Sequence, residues 1–399
     1  MSKYLELVGS SFTQEHLDKQ QNQKPYVAYS IKDNNFIYGI APKPVVYDPY
    51  VTFTAEESNS SIGLEALSTN QTLEYSTDTT NWIIMRTNIK LPNIGDKVYI
   101  RGILSADNDA EYTQFKMTGK IAASGNCNAI WNYQDLNAPL KACCGWCMFR
   151  DCTSLTTAPE LPATTLANSC YSSMFRGCTS LTQAPKILPA TTLADYCYYN
   201  MFYDCTSLTT ASAILPATEL ATDCYSSMFN GCTSLTTAPA ILPATTLANG
   251  CYERMFENCT SLTTAPELPA TTLAEKCYLE MFRNCTSLTT APELPATTLA
   301  KECYNQMFWN CTSLTTAPEL PATTLANYCY QYMFKGCTKL NYIKCLATKI
   351  SGFRLYDCTS DWVNGVASTG TFVKHPNMNS WTTGNNGIPS GWTVVDAVL

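Results

Sequence analysis

The chain has 399 residues, enough for two to three ordinary domains or one elongated array. Its charge is sparse and acidic: 25 Lys and Arg against 32 Asp and Glu give a net of −7, which argues against nucleic-acid binding, since that needs a phosphate-neutralising basic surface. Hydrophobic residues reach 45%, too many for intrinsic disorder, and the two histidines, His16 and His375, are far apart, so most His-based catalysis and zinc chemistry lack parts.

Residues 1–23 are polar, carry no apolar signal core, and read as an arm. Two β-rich runs, 26–31 and 36–40, flank Asp33, Asn34 and Asn35, which is a hairpin signal. The arm and hairpin (1–48) are expected to anchor the chain, with residues 41–44 as a linker. From Tyr50 to about Gly125, seven short alternating runs are separated by Asp, Asn and Gly turns. They predict a small β-sandwich over 49–125. No apolar run approaches the ~20 residues of a membrane helix, so no membrane insertion is expected.

The cluster Cys143, Cys144, Cys147 and Cys152 has the look of a zinc site. Cys144 and Cys152, however, sit in the two registers of the repeat that follows, with Met148 and Phe149 in its Met-Phe slot. A divergent first rung is therefore favoured over a metal.

From Cys152 the chain repeats. Cysteines 152, 178, 205, 232, 259, 285, 311 and 337 recur at 26 or 27 residues, and a second series runs 170, 197, 224, 251, 277, 303 and 329. The 27-residue copies carry one extra residue at a proline turn, as in Pro185–Pro189 against Pro159–Pro162. Such self-similarity means a stacked array. Within a copy, Cys170, Met174 and Cys178 fall at i, i+4, i+8 and Tyr171 and Phe175 at i, i+4, which predicts a short amphipathic helix. The Thr-rich stretch 154–158, halted by Pro159, predicts one short strand. Stacking aligns Leu155, Leu181, Leu208 and their counterparts into an internal row. Each contributes roughly 1.5–3 kcal/mol if fully buried. Cys170, Met174, Phe175, Cys178 and Leu181 are the expected core of a typical unit. The cysteines read as small buried hydrophobes; disulfides between rungs remain the alternative under oxidising conditions. The fold class expected is α+β: arm and hairpin, all-β sandwich, a solenoid of short strands and short helices over 126–345, and a C-terminal cap over 346–399 rich in Gly, Asn and Ser with Trp362, Trp381 and Trp392.

The phrase Met174-Phe175-Arg176-Gly177-Cys178-Thr179-Ser180-Leu181 resembles the BspA-like (Treponema-type) leucine-rich repeats. The resemblance covers Cys144 to about Cys345, and departs from that family in having Thr-Thr-Ala-Pro where it has an Ile-rich strand. The hairpin, the Leu73–Trp82 stretch, the repeats and the tail together resemble surface proteins of gut Bacteroidales and of their tailed (crAss-like) phages. That resemblance implies a phage virion subunit, a fibre or decoration protein, assembled in the host cytoplasm. Residues 1–48 would contact other virion proteins, the solenoid a host glycan or protein, and the chain could form a homo-oligomer. A bacterial cell-surface adhesin is the alternative.

No catalytic set, metal-ligand spacing or phosphate loop emerges from the residues, so neither an enzyme nor a cofactor is expected. Variation among the copies concentrates in the pairs flanking Met-Phe and before Cys-Tyr. On a helix, Tyr196, Tyr199 and Tyr203 would form one exposed stripe (i, i+3, i+7), with Trp309, Tyr328 and Tyr332 another on adjacent rungs. Such aromatic platforms suit sugars or protein partners; drift on a solvated face is the competing reading.

Overall fold

The computed structural model describes residues 26–31, 35–40, 48–106, 111–212, 214–350, 358–379 and 381–398. It divides into two units, Met1–Asp48 and Pro49–Leu399. In the first, β1 (Tyr26–Ile31) and β2 (Asn35–Ile40) pair antiparallel, Tyr26 opposite Ile40 and Ile31 opposite Asn35. The arm and the 41–44 linker expected from the sequence lie outside the described residues.

The second unit begins with β3 (Val51–Ala55), β4 (Ser60–Ala66), β5 (Gln71–Ser76), β6 (Ile83–Ile84), β7 (Ile89–Leu91), β8 (Lys97–Leu104), β9 (Gln114–Thr118) and β10 (Ile121–Ser124). They build two sheets. One has the order β10-β3-β8-β5-β6 and is extended by β11 (Leu155–Thr157); the other is β7-β4-β9. Strand alternation explains the packing: Val51, Phe53 and Ala55 on β3 and Val98 and Ile100 on β8 turn inward and are buried, while Tyr99 and Arg101 on β8 turn outward. Phe53 meets Phe115 of the other sheet at 5.6 Å between ring centroids. A four-residue helix, α1 (Ala129–Asn132), packs on β8 and is the one helix among the described residues.

The sandwich runs straight into the repeats. β10 pairs antiparallel with β3 and parallel with β11, the strand of the first rung. Phe115 N–H donates to Met148 O, and the Phe115 ring stacks on Phe149 at 5.2 Å. The two regions therefore share one continuous apolar core.

The rungs differ from expectation in two ways. First, the Cys170–Cys178 segment and its counterparts are not helices. Alternate N–H groups close i→i−3 turns, as Cys170 to Ala167 O, Ser172 to Ser169 O and Met174 to Tyr171 O. Intervening N–H groups reach the next rung, as Ser173 to Tyr199 O, Phe175 to Met201 O and Gly177 to Tyr203 O. Residues four apart sit at positive φ, for example Asp223 (51°), Ser227 (54°) and Gly231 (75°), joined on the first rungs by Gly145, Tyr171 and Tyr198. The result is a ribbon of overlapping turns whose chemical period, four, matches the i, i+4 spacing of a helix; the α+β reading fails for that reason. Left-handed backbone costs roughly 1–2 kcal/mol per non-Gly residue, offset here because those N–H groups are placed to bond the neighbouring rung. Second, the Thr stretch forms a regular strand only in β11. Beyond it the contact shrinks to single parallel bridges, Thr157 to Gln183, Gln183 to Thr210, Thr210 to Thr237. After Gln183 and Thr237 the proline two residues further on has no N–H to extend a ladder; at Thr210 that position is Ser212.

The stack continues past Cys337. Tyr330, Phe334 and Gly336 donate N–H to Cys358 O, Trp362 O and Asn364 O, so Trp362 takes the slot that Met holds in the copies. β12 (Thr324–Leu325) pairs β14 (Lys349–Ile350), and β13 (Tyr342–Cys345), β15 (Thr371–Lys374) and β16 (Thr393–Asp396) form a parallel sheet in that order. Buried Trp362 stacks on Tyr330 at 6.1 Å and on Trp381 at 5.6 Å, while its Nε1 donates to Gly387 O.

Candidate functional site: the turn ribbons

The interior is built of columns of like residues, Phe, Tyr, Met, Leu and Cys. Phe149, Phe175, Phe202, Phe229, Phe256, Phe282, Phe308 and Phe334 stack near-parallel, 5.4 to 5.8 Å apart. Buried tyrosines do the same from Tyr198 to Tyr304. From Cys178 on, the cysteines of the first series donate to the phenylalanine carbonyl of the rung before (Cys178 Sγ to Phe149 O at 3.0 Å, Cys232 to Phe202 O at 3.1 Å, Cys337 to Phe308 O at 3.0 Å), while Cys152 donates to Phe115 O of β9. Burial pushes these thiols up, Cys337 to about 12, so they are protonated donors and poor nucleophiles. All 21 cysteines lie among the described residues and all are thiols. Cys170, Met174, Phe175, Cys178 and Leu181 are fully buried. Cys144, Cys147 and Cys152 line the interior of the first rung, and no group of three His, Cys, Asp or Glu among the described residues is arranged to hold a metal.

Outside the columns, the variable residues form ladders of their own. In the slot two before each first-series cysteine stand Arg176, Tyr203, Asn230, Glu257, Arg283, Trp309 and Lys335. Arg150 holds this slot on the first rung, a like charge beside Arg176, but several later neighbours are complementary. Arg176 lies over Tyr203 (4.9 Å), Asn230 Nδ2 donates to Glu257 Oε2 (2.8 Å), and Glu257 pairs with Arg283 (3.8 Å). Arg283 then lies over Trp309 (4.4 Å), and Lys335 over Trp309 (5.2 Å). In the slot before Met, Arg254 grips Glu280 through Nε and Nη2 at 3.0 and 3.2 Å. In the slot before each first-series cysteine stand Asp151, Gly177, Asp204, Gly231, Asn258, Asn284, Asn310 and Gly336, the residues most tolerant of positive φ. Asn284 Nδ2 donates to Asn258 Oδ1 and Asn310 Nδ2 to Asn284 Oδ1, whereas each Asp faces a Gly of the next rung, never another Asp.

These ladders decide what the sequence-selected aromatics can do. Tyr196, 46% exposed, packs edge-on against Tyr199 at 6.0 Å. Tyr203 is half-buried under Arg176. Trp309 is brought against Tyr332 at 5.6 Å on the rung after and against Arg283 on the rung before, so both its ring faces are occupied. Tyr332 lies under Lys335 (4.8 Å), and Tyr328 is half-buried in the slot that Tyr196 holds earlier. The partners Arg176, Arg283 and Lys335 escaped single-copy reading; setting the copies in columns exposes them.

The family model for the BspA type leucine rich repeat region matches residues 143–263 and 252–365, in six copies. The chain belongs to this family. A crystal structure of a T. pallidum leucine rich repeat protein is similar over 48% of this chain and 72% of its own, at 19% identity and a TM-score of 0.27. No curated protein matches the chain. No helix among the described residues is long and apolar enough to cross a membrane.

Proposed function

We propose that this BspA-type repeat protein is a non-enzymatic attachment module, its stacked rungs holding a contact surface away from whatever carries it. The observation that supports this reading is how the polar variable residues are spent: Arg254, Glu257, Glu280, Arg283 and Lys335 pair with neighbouring rungs, and the thiols are buried donors. A stack so committed to itself is a scaffold. The exposed edge of the Tyr196–Tyr199 pair is the contact point on the ribbons that the ladders leave open. The carrier in this reading is a phage virion, as fibre or decoration subunit, with residues 1–48 toward other virion proteins and the rungs toward a host glycan or protein. A bacterial cell surface is the alternative carrier.

Replacing Tyr196 and Tyr199 together by Ser tests the contact. Binding of the purified chain to host cells should fall at least fivefold with the melting temperature unchanged; unchanged binding removes the pair. Mass spectrometry of purified virions against surface-shaved cells tests the carrier: peptides of this chain in the cell fraction alone overturn the virion form.

A further inference from the structure

The stack is closed at one end and open at the other. At the first rung, β11 is covered by β10 of the sandwich. At the last, β16 is the edge of the sheet β13-β15-β16, and no strand among the described residues lies beyond it. Thr393 N–H donates to Gly370 O and Ala397 N–H to Lys374 O, so residues 393, 395 and 397 turn their backbone groups toward β15. By alternation, Val394 and Asp396 turn theirs outward. The side chains along this edge are apolar and open: Val394 and Val395 are each 45% exposed, and Val398 is 97% exposed. Val394 also ends an internal row. It stands opposite buried Phe372, which stands opposite buried Ile343, and no further rung among the described residues covers it.

The chemistry of the edge narrows what can cover it. A row of outward N–H and C=O groups is a template for an extended strand. An antiparallel strand centred opposite Val395 engages both Val394 and Asp396 in hydrogen-bonded pairs. A second β16 meets that demand from both sides at once. Val394 pairs with Asp396 of the partner subunit, Asp396 with Val394 of the partner subunit, and Val395 lies opposite Val395 of the partner subunit. The outer row Lys344, Val373, Val395 is then continued by the same row in reverse, a β-branched cross-strand contact. Charge fits as well. Lys374 Nζ holds Asp396 Oδ1 at 2.6 Å, so self-pairing brings one compensated edge to another. Centring the pair on Asp396 instead would set two carboxylates opposite each other, which destabilises a sheet. We infer that two copies of this chain join tail to tail through β16, in a continuous sheet with three strands from each copy and a two-fold axis at Val395. Because β10 closes the other end, copies cannot add head to tail, and the isologous contact stops at two. So short a strand buries less than the roughly 800 Å² per partner of a standard interface, so the dimer is weak and follows concentration. The inference does not rest on the attachment reading.

Sedimentation velocity of the full chain, taken up to about 200 µM, should show a reversible monomer–dimer equilibrium. Val395→Glu, at an exposed position, sets two carboxylates directly opposite and should raise the dissociation constant at least about tenfold, with the melting temperature of the dilute protein unchanged. Cross-linking reads the register. In a non-hydrogen-bonded pair the Cα atoms lie about 4.5 Å apart, inside the ~4.4–6.8 Å that a disulfide spans, whereas position 394 and its copy are offset along the strands beyond ~7 Å. Val395→Cys, oxidised in native buffer and then denatured in N-ethylmaleimide to cap the buried thiols, should run as a disulfide dimer on a non-reducing gel. Val394→Cys, treated alike, should run as a monomer. A chain that stays monomeric at the highest concentration, an affinity that Val395→Glu leaves unchanged, or a cross-link as strong at position 394 as at 395 each overturns the inference.

Discussion

The sandwich and the stack bury similar side chains by opposite means. In the sandwich each core residue meets a different neighbour brought from far along the chain: Phe53 of β3 packs on Phe115, and Val98 sits opposite Phe53 on the adjacent strand. In the stack each residue meets copies of itself, Phe on Phe and Tyr on Tyr, one rung away. A sandwich is cooperative across its sheets, whereas a stack is a chain of nearest-neighbour terms.

Matched large-to-small substitutions give the biggest effect and the clearest test of that contrast. Phe53→Ala and Phe256→Ala each remove a fully buried ring and should each cost about 3–5 kcal/mol. Hydrogen exchange should separate them. Phe53→Ala should expose amides throughout β3 to β10, while Phe256→Ala should open the rungs on either side, 229–285, and leave the sandwich protected. Equal loss of protection in both regions from either variant would break the contrast.

Glycines sharpen it at smaller scale. A Cβ at Gly102 in β8 would meet Ile130 O and Thr72 O, backbone atoms that cannot step aside. A Cβ at Gly231, at φ 75°, would meet the tip of the Asp204 side chain, which can turn away. Gly102→Ala should therefore cost about 2–3 kcal/mol as overpacking and Gly231→Ala about 1 kcal/mol as backbone strain. Denaturant midpoints at constant slope check the order; a larger loss at Gly231 would overturn it.

Much of the interior was legible before any coordinates, because rows of Leu155, Leu181 and Leu208 or of Phe149, Phe175 and Phe202 follow directly from the repeat. The local backbone was not. Cys170, Met174 and Cys178 recur at a spacing that a helix and a four-residue turn ribbon share. The discriminating signal was present in another column: Asp151, Gly177, Asp204, Gly231, Asn258, Asn284, Asn310 and Gly336 are all residues suited to positive φ, a restriction that a helix interior does not impose. β10 was missed as a strand because Ile121–Ser124 is short and lies against Gly125.

The charged ladder adds a pH dependence that the sandwich core lacks. For Glu280, burial alone would raise the carboxyl, but the hydrogen bonds and charges of Arg254 and Arg283 outweigh it and hold the group below its ordinary 4.5. Its contribution is therefore present above about pH 4.5 and lost as pH falls through the lower folded value. Glu257 is pushed the other way, by burial first and then by the Glu280 charge, so its contribution is present below pH 4.5 and lost as pH rises through its folded value. Glu280→Gln should cost about 1–2 kcal/mol at pH 7, discounted because Arg254 is 42% exposed, and less at pH 3 than at pH 7. Glu257→Gln should be neutral or slightly stabilising at pH 7. Urea unfolding at the two pH values measures both, and equal losses for both variants at pH 7 would show that the ladder does not split its carboxylates.

The smallest effect bears most directly on why the ribbon residues vary. If they drift on a solvated face, neighbouring slots are independent. If they are matched rung to rung, they are coupled. Arg176 over Tyr203 at 4.9 Å is a suitable pair, since Arg150 stands in the same slot on the preceding rung and Asn230 on the following one. Tyr203→Arg alone sets three arginines in succession, and Arg176→Tyr alone sets two tyrosines together. Exchanging both restores a cation against a ring and places the new Tyr beside Arg150. A double-mutant cycle should give a coupling of about 0.5 kcal/mol, the scale of an exposed cation–π contact. A coupling of zero would return these positions to drift, because additive losses mean that neither residue senses what stands on the next rung.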